Sequence, residues 1–347
     1  MSLVSGQGTT MDKSEREPVL VDFALQGGGS HGAFTWGVLD RLIEEPWLRI
    51  EAVSGTSAGA MNAAVVADGW TQGGAEGARA ALDSYWRRVS QAAAFSPLQR
   101  SPLDRLMGRW TLDTSPAYVA MDLMARVVSP YDLNPLGLNP LRSILDQSID
   151  FDRLARAPIK LFVTATNVRT GRGRIFRNRE ITADVLLASA CLPTMFHAVE
   201  IDGESYWDGG YSTNPPLLSL AQESETADLL VVQVTPSRDH YVPITMAAID
   251  RRLDQIVANA ALNAELAALE WAGAASASRR TLQIHRIAAE DHVEGLAQRN
   301  AADLGHGFVA LLHRSGRSAA HRWLKQTADR TSAPHASRQR LLALAAV

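Results

Sequence analysis

Val53-Ser54-Gly55-Thr56-Ser57-Ala58-Gly59-Ala60-Met61-Asn62 reads as the end of a strand, a Gly-x-Ser-x-Gly turn and the small-residue start of a helix. A serine on that turn is pushed out of the backbone envelope, because the flanking glycines permit a strand-to-helix reversal that no Cβ would fit. The Ser57 hydroxyl is therefore expected to point away from the sheet, within reach of a substrate carbonyl.

Upstream, Val19 to Leu25 is a short apolar run of the kind a buried parallel strand shows. It runs into Gln26-Gly27-Gly28-Gly29-Ser30-His31-Gly32. A helix follows, with Val38, Leu39, Leu42 and Ile43 recurring on one face and Pro46 past its end. Ile50 to Ser54 is the second strand. Gly27-x-Gly29-x-x-Gly32 matches the dinucleotide fingerprint, which wants an acidic residue closing the second strand. That strand closes on Ser54 to Ser57 instead, and Glu51 lies near its beginning. Consecutive glycines at a helix N-terminus also suit another anion, including the transient oxyanion of acyl transfer.

A serine nucleophile needs a base. Only 56 residues precede Ser57, little room for the strands that an α/β-hydrolase places ahead of its nucleophile. His240, His285, His292, His306 and His313 read as surface or helix residues. Asp208 differs. It follows Val199 to Trp207, which reads as a hairpin broken at Asp202-Gly203, and it precedes Gly209 and Gly210. The plainer reading of Asp208 is an Asp-Gly turn.

Elsewhere Ala75 to Val89 reads as a helix, Ile159 to Thr166 as a strand, Arg174 to Phe176 as an edge strand, Asp184 to Ala190 as a helix and Leu229 to Val234 as a buried strand. Leu253, Ile256, Val257 and Ala260 give an i, i+3, i+4, i+7 apolar face that Leu262, Leu266 and Leu269 extend. Leu282 to Ile287 suits an edge strand, and Leu304, Phe308, Leu311 and Leu312 mark a late helix. Between Phe95 and Pro140, prolines and methionines interleave with Leu103, Leu106, Trp110, Tyr118 and Leu123, which predicts short helices in an insertion. That insertion is either a substrate-facing cap or ordinary core packing. Arg169, Arg172, Arg174, Arg177 and Arg179 crowd one hairpin, either to meet phosphate head groups or as a solvated charged edge. Residues 1–18 and 331–347 are expected to be tails around a single domain spanning 19–330.

The net charge of −3 gives no case for a nucleic-acid partner. Cys191 is the only cysteine, so no intrachain disulfide forms, and it reads as a small buried hydrophobe. No apolar run spans a bilayer, and the N-terminus lacks the apolar core of a signal peptide. The expected location is the cytoplasm, peripheral to a membrane, although an export signal read by a receptor would leave no such trace.

The glycine loop, the serine turn and Asp208-Gly209-Gly210, in that order and spacing, resemble the patatin-like phospholipase family from about Val19 to Val234. The resemblance takes in Ala188-Ser189-Ala190-Cys191-Leu192-Pro193. It implies a three-layer α/β/α fold with a mostly parallel central sheet and a lipid ester as substrate. It also implies a dyad without metal or cofactor: Ser57 as nucleophile, Asp208 as general base, and an oxyanion hole from Gly27, Gly28, Gly29 and Ala58. Ser30, His31, Gly32, Gly55, Gly59, Gly209 and Gly210 support the motifs. The family usually carries Arg or Lys where this chain has His31. Competing classes are a non-catalytic lipid-binding or scaffold protein of the same fold and a dinucleotide-binding oxidoreductase.

Overall fold

The computed structural model describes residues 18–94, 100, 112, 115–275 and 282–331. Most of the two expected tails, together with Leu103, Leu106 and Trp110, lie outside those residues.

Strand β1 (Val19–Leu25) leads through a 3-10 turn (Gly29–His31) into helix α1 (Gly32–Ile43). Strand β2 (Leu48–Thr56) leads into α2 (Ala58–Ala94). The helix expected over Ala75 to Val89 is the second half of α2, which breaks where Gly73 and Gly74 take non-helical dihedrals. Helices α3 (Pro116–Val127), α4 (Pro130–Leu133) and α5 (Pro140–Ser148) follow. Each begins on a proline, whose missing N–H costs nothing in a first helical turn. Then come α6 (Phe151–Leu154), β3 (Lys160–Asn167), β4 (Gly173–Arg177), α7 (Ala183–Ser189) and the hairpin of β5 (Val199–Ile201) and β6 (Glu204–Asp208). Helix α8 (Leu217–Glu223), β7 (Asp228–Gln233), α9 (Met246–Ala275), β8 (Gln283–Ala288) and α10 (His306–Thr331) complete the order.

The eight strands form one mixed, mostly parallel sheet in the order β5-β6-β3-β2-β1-β7-β8, with β4 pairing β3 as well. Both faces are covered, and strand alternation assigns the residues. Phe23, Leu25, Val53, Leu161, Val163, Leu230 and Val232 point into the larger core with α1, α2 and α10. Ala24, Ala52, Phe162, Leu229 and Val231 point into the smaller one with Leu217, Leu220 and Leu262 of α8 and α9. Apolar residues on both faces of a strand make the continuous runs legible in this sequence. The α/β/α expectation is met.

One register decides where the chemistry sits. Residue by residue, β4 covers one edge of β3 from Phe162 to Thr166. The opposite edge is shared by β2, which ends with Thr56 beside Thr164, and β6, which ends with Asp208 beside Ala165. Those two strands run toward each other along β3, so their carboxyl ends meet.

The apolar stripe of α9 is divided. Leu262 is buried, with Leu266 and Leu269 packed beside it, but Leu253, Ile256, Val257 and Ala260 are exposed. Gln255 and Asn259 take the inward positions. Asn259 Oδ1 accepts from Gln233 Nε2 (2.7 Å), its Nδ2 donates to the Pro236 carbonyl (2.8 Å), and Gln255 Nε2 donates to the Ala297 carbonyl (3.0 Å). A buried amide is stable only with partners, and these come from distant segments. No helix among the described residues is long and apolar enough to cross a membrane.

Candidate active site

Ser57 occupies the turn between β2 and α2 with φ 54°, a left-handed conformation rare for a residue with a side chain. The glycines around it are demanded by close approach. A Cβ on Gly55 would lie 2.6 Å from the Gly59 carbonyl oxygen, and one on Gly59 would collide with the Leu25 carbonyl. The Ser57 N–H donates to Ser189 Oγ (2.9 Å), and its carbonyl accepts from Met61 N–H (3.1 Å).

Asp208 ends β6 directly across the gap. Its N–H donates to the Cys191 carbonyl (2.8 Å), and its own carbonyl accepts from Thr166 Oγ1 (2.8 Å). Its carboxylate accepts from Gly210 N–H (2.7 Å), and the Ser57 side chain is near enough to act on its ionisation. A side chain on Gly209 would strike the Thr164 carbonyl, so the chain can pass beneath the carboxylate only as glycine. Burial pushes the Asp208 pKa up from 3.8 to about 6, against the lowering effect of the Gly210 N–H and the Ser57 side chain. A carboxyl tuned this way is a stronger base than a solvated aspartate yet remains ionised at neutral pH. Nothing in the local sequence reports that shift.

The glycine loop lies against this pair. The position a Cβ would take on Gly27 is 2.8 Å from Ser57 Cβ, and that on Gly32 is 2.7 Å from Ala58 Cβ. Of the four donors expected, Gly27 is engaged, because its N–H donates to the Oδ1 of buried Asn214 (2.7 Å). That bond gives Gly27 a structural task. The N–H groups of Gly28, Gly29 and Ala58 have no partner among the described residues. Ala58 opens α2, where the helix dipole favours negative charge. Asn62, one turn into α2, braces both segments. Its Nδ2 donates to the carbonyls of Gly32 and Ala58 (both 3.0 Å), and its Oδ1 accepts from Trp86 Nε1 (3.0 Å).

Asn214 and Ser189 escaped the sequence reading as site residues. Ser189 lay inside the quoted Ala188 to Pro193 segment, but its bond to Ser57 spans 132 positions. His31 is buried, and burial with the nearby Arg299 charge lowers its pKa to about 4. It is therefore neutral at physiological pH. Glu51, the acidic residue weighed for a ribose, pairs with Lys160 (3.0 Å). In the arginine-rich hairpin, Arg169 pairs with Glu204, Arg174 with Glu180 and Asp202, and Arg177 with Glu223. Those pairs suit a solvated charged edge. Cys191 is buried, and its thiol donates to the His197 carbonyl (3.0 Å).

The patatin-like phospholipase family matches residues 23–221, which is 199 of 347 residues and more than half the chain. The chain belongs to that family. The matched region of this patatin-like protein carries the glycine loop, Ser57, Asp208 and Asn214, and it stops before β7. A curated relative, the uncharacterized protein YjjU of Escherichia coli strain K12, is 24% identical over 244 residues. The match covers 68% of this chain and 58% of YjjU, so the chain spans less than two thirds of that relative. Among solved structures, VipD from Legionella pneumophila aligns with 17% identity and a TM-score of 0.44 over 89% of this chain and 67% of VipD. The ExoU–SpcU complex of the Pseudomonas aeruginosa type III secretion system aligns with 14% identity and a TM-score of 0.35, over 89% of this chain and 52% of the matched one.

Proposed function

We propose that this patatin-like protein hydrolyses carboxylic esters of lipids through a Ser57–Asp208 dyad and an acyl-enzyme. The observation that carries the reading is a buried carboxylate, with its pKa raised by burial, next to the side chain of a left-handed serine and beside unpartnered backbone donors. Ser57 Oγ attacks the ester carbonyl while its proton passes to Asp208, and the oxyanion gathers on the N–H groups of Gly28, Gly29 and Ala58. Collapse breaks the bond to the leaving alcohol, which takes the proton from Asp208. Water then attacks the acyl-serine, giving its proton to Asp208, and the fatty acid leaves.

Family membership supports a lipid substrate, and the surroundings of the dyad agree with it. Leu192 and Met195, just past the Cys191 carbonyl that holds Asp208, are exposed, and so is Tyr211, three residues beyond the carboxylate. Helix α9 packs against the Gly209–Tyr211 turn and carries an outward apolar stripe, and such a surface suits acyl chains and a lipid surface better than a small polar ester.

An active-site-directed fluorophosphonate labels only an activated serine. Its adduct should map to Ser57 in the wild type and vanish in Ser57→Ala. Labelling elsewhere, or none, defeats the assignment.

A further inference from the structure

Behind the glycine loop stands a half-buried cation. Arg299 lies on the segment between β8 and α10, outside the family match. Its Nε (3.2 Å) and Nη2 (2.8 Å) donate to the Glu294 carbonyl, its Nη1 is buried without a hydrogen bond, and the Glu294 charge acts on it without a close ion pair among the described residues. Half-burying a guanidinium with one nitrogen left unbonded is costly, and arginine does not escape the cost by giving up its proton. Such an arrangement calls for a reason.

Its neighbours supply one. The Arg299 guanidinium lies over the ring of Phe308 (5.7 Å to the centroid), and the same ring meets His31 edge-on at 6.1 Å. His31 ends the 3-10 turn of the glycine loop, and its N–H donates to the Gly28 carbonyl (3.1 Å). Two residues after Arg299, the Ala301 carbonyl accepts the Ser30 N–H (2.7 Å) and sits so close to Gly29 that a Cβ there would be 2.5 Å away. The segment carrying Arg299 therefore clamps the loop whose Gly28 and Gly29 N–H groups stand open. His31 cannot serve as the cation, since its Nε2 is buried, unpartnered and unprotonated at neutral pH.

We infer that Arg299 is a positioning residue for the oxyanion cradle: from a distant segment it sets a fixed positive charge against the glycine loop, favouring the anion that forms on Gly28 and Gly29. The charge acts through the loop and touches no reacting atom. It helps only as negative charge develops, so removing it lowers kcat and leaves KM nearly alone. This inference rests on the dyad reading above.

The test uses full-length protein and a short p-nitrophenyl ester. Arg299→Met should lower kcat about tenfold, close to 1.4 kcal/mol of barrier, with KM changed less than twofold. Arg299→Lys should keep most of the activity, and the transplant His31→Arg with Arg299→Met should recover it, because both retain a cation at the loop. Unchanged kcat in Arg299→Met overturns the inference. So do Lys and transplant variants that remain folded by circular dichroism yet fall as far as Met, since that pattern marks packing alone. If Arg299→Met does not fold, Arg299→Lys and Arg299→Gln decide: Lys near wild type with Gln about tenfold lower in kcat supports the inference, and equal kcat in the two overturns it. A wild type that neither hydrolyses the ester nor takes the fluorophosphonate sinks the dyad reading along with this one. An active wild type indifferent to Arg299 sinks this one alone.

Discussion

The floor of the candidate site and its rim obey opposite rules. On the floor, buried polar atoms are either held or left open toward the site: Gly210 N–H binds the Asp208 carboxylate, Asn214 takes Gly27 N–H and Ser189 takes Ser57 N–H, while the N–H groups of Gly28, Gly29 and Ala58 stand free. The backbone there is held in conformations that only close packing sustains. On the rim, Leu192, Met195 and Tyr211 stand in the open near Asp208, Leu253, Ile256 and Val257 of α9 are exposed, and so are Leu123 and Val127 of α3. An ion pair between Arg126 and Asp250 ties those two helices together. Stability alone would put the leucines inside and leave the aspartate in water. The inversion is understandable if the floor serves a reaction and the rim serves an apolar partner, and each half makes separate demands on mutation.

The largest effect should fall on Asp208. Asp208→Asn removes the base while preserving shape, and loss of a positioned general base is worth up to about 10⁴ in rate, so kcat should fall by about 10³-fold or more. The same substitution should stabilise the protein. The folded pKa of about 6 lies above the unfolded 3.8, so the folded state binds the extra proton between those values. Stability attached to this group is complete below about pH 4, is lost as pH rises through about 6, and at neutrality its absence costs about 3 kcal/mol. A neutral amide escapes that cost, so Asn should raise Tm at pH 7.5 and not at pH 4. In the wild type, kcat/KM should rise about tenfold per pH unit below about 6 and then level off. A variant both inactive and less stable at pH 7.5 would mean that Asp208 is structural and that the floor follows the ordinary rule after all.

Next comes Gly59→Ala. A methyl there meets the Leu25 carbonyl across the β1–α2 contact, and neither strand nor helix can withdraw without disturbing Ser57. A loss of about 3 kcal/mol is expected, read as a lowered urea midpoint at unchanged m-value. Gly203→Ala makes the control. Nothing surrounds that hairpin position, so its cost is limited to the backbone strain of a residue at φ 76°.

How much of this could be read beforehand follows the range of the interactions. Strand β1 was legible from end to end, because all of its residues except Asp22 are apolar and glycines stop it. The hairpin that delivers Asp208 was legible from Asp202-Gly203, whose positive φ angles close a two-residue turn between Ile201 and Glu204. Ser57 and Asp208 were legible as motifs. Their meeting was not, since it depends on β2 and β6 sharing one edge of β3. The same limit hid the occupied donor of Gly27, which is taken by a residue 187 positions away. It also hid the raised pKa of Asp208, which is a property of enclosure. In α9 the apolar period is real and the helix formed. Which side faces inward was settled by Gln26 and Gln233, whose amides need Asn259. Periodicity finds a stripe; buried polar partners can outbid it for the interior.

The smallest effect belongs to the rim, and it separates the two halves most cleanly. Leu253→Ser with Ile256→Ser removes two exposed apolar side chains of α9 that contribute to neither core. Tm should stay within about 1 °C, because surface substitutions outside special features usually fall within about 0.5 kcal/mol. Hydrolysis of a water-soluble short ester should be unchanged, since the floor is untouched. On phosphatidylcholine vesicles the double variant should need about tenfold more lipid for half-maximal rate, about 1.4 kcal/mol of lost surface affinity, which two partly inserted aliphatic side chains can supply. Equal losses on both substrates would place the stripe in the reaction itself. A fall in Tm would show that α9 packs its apolar side inward in solution, and the contrast between floor and rim would end there.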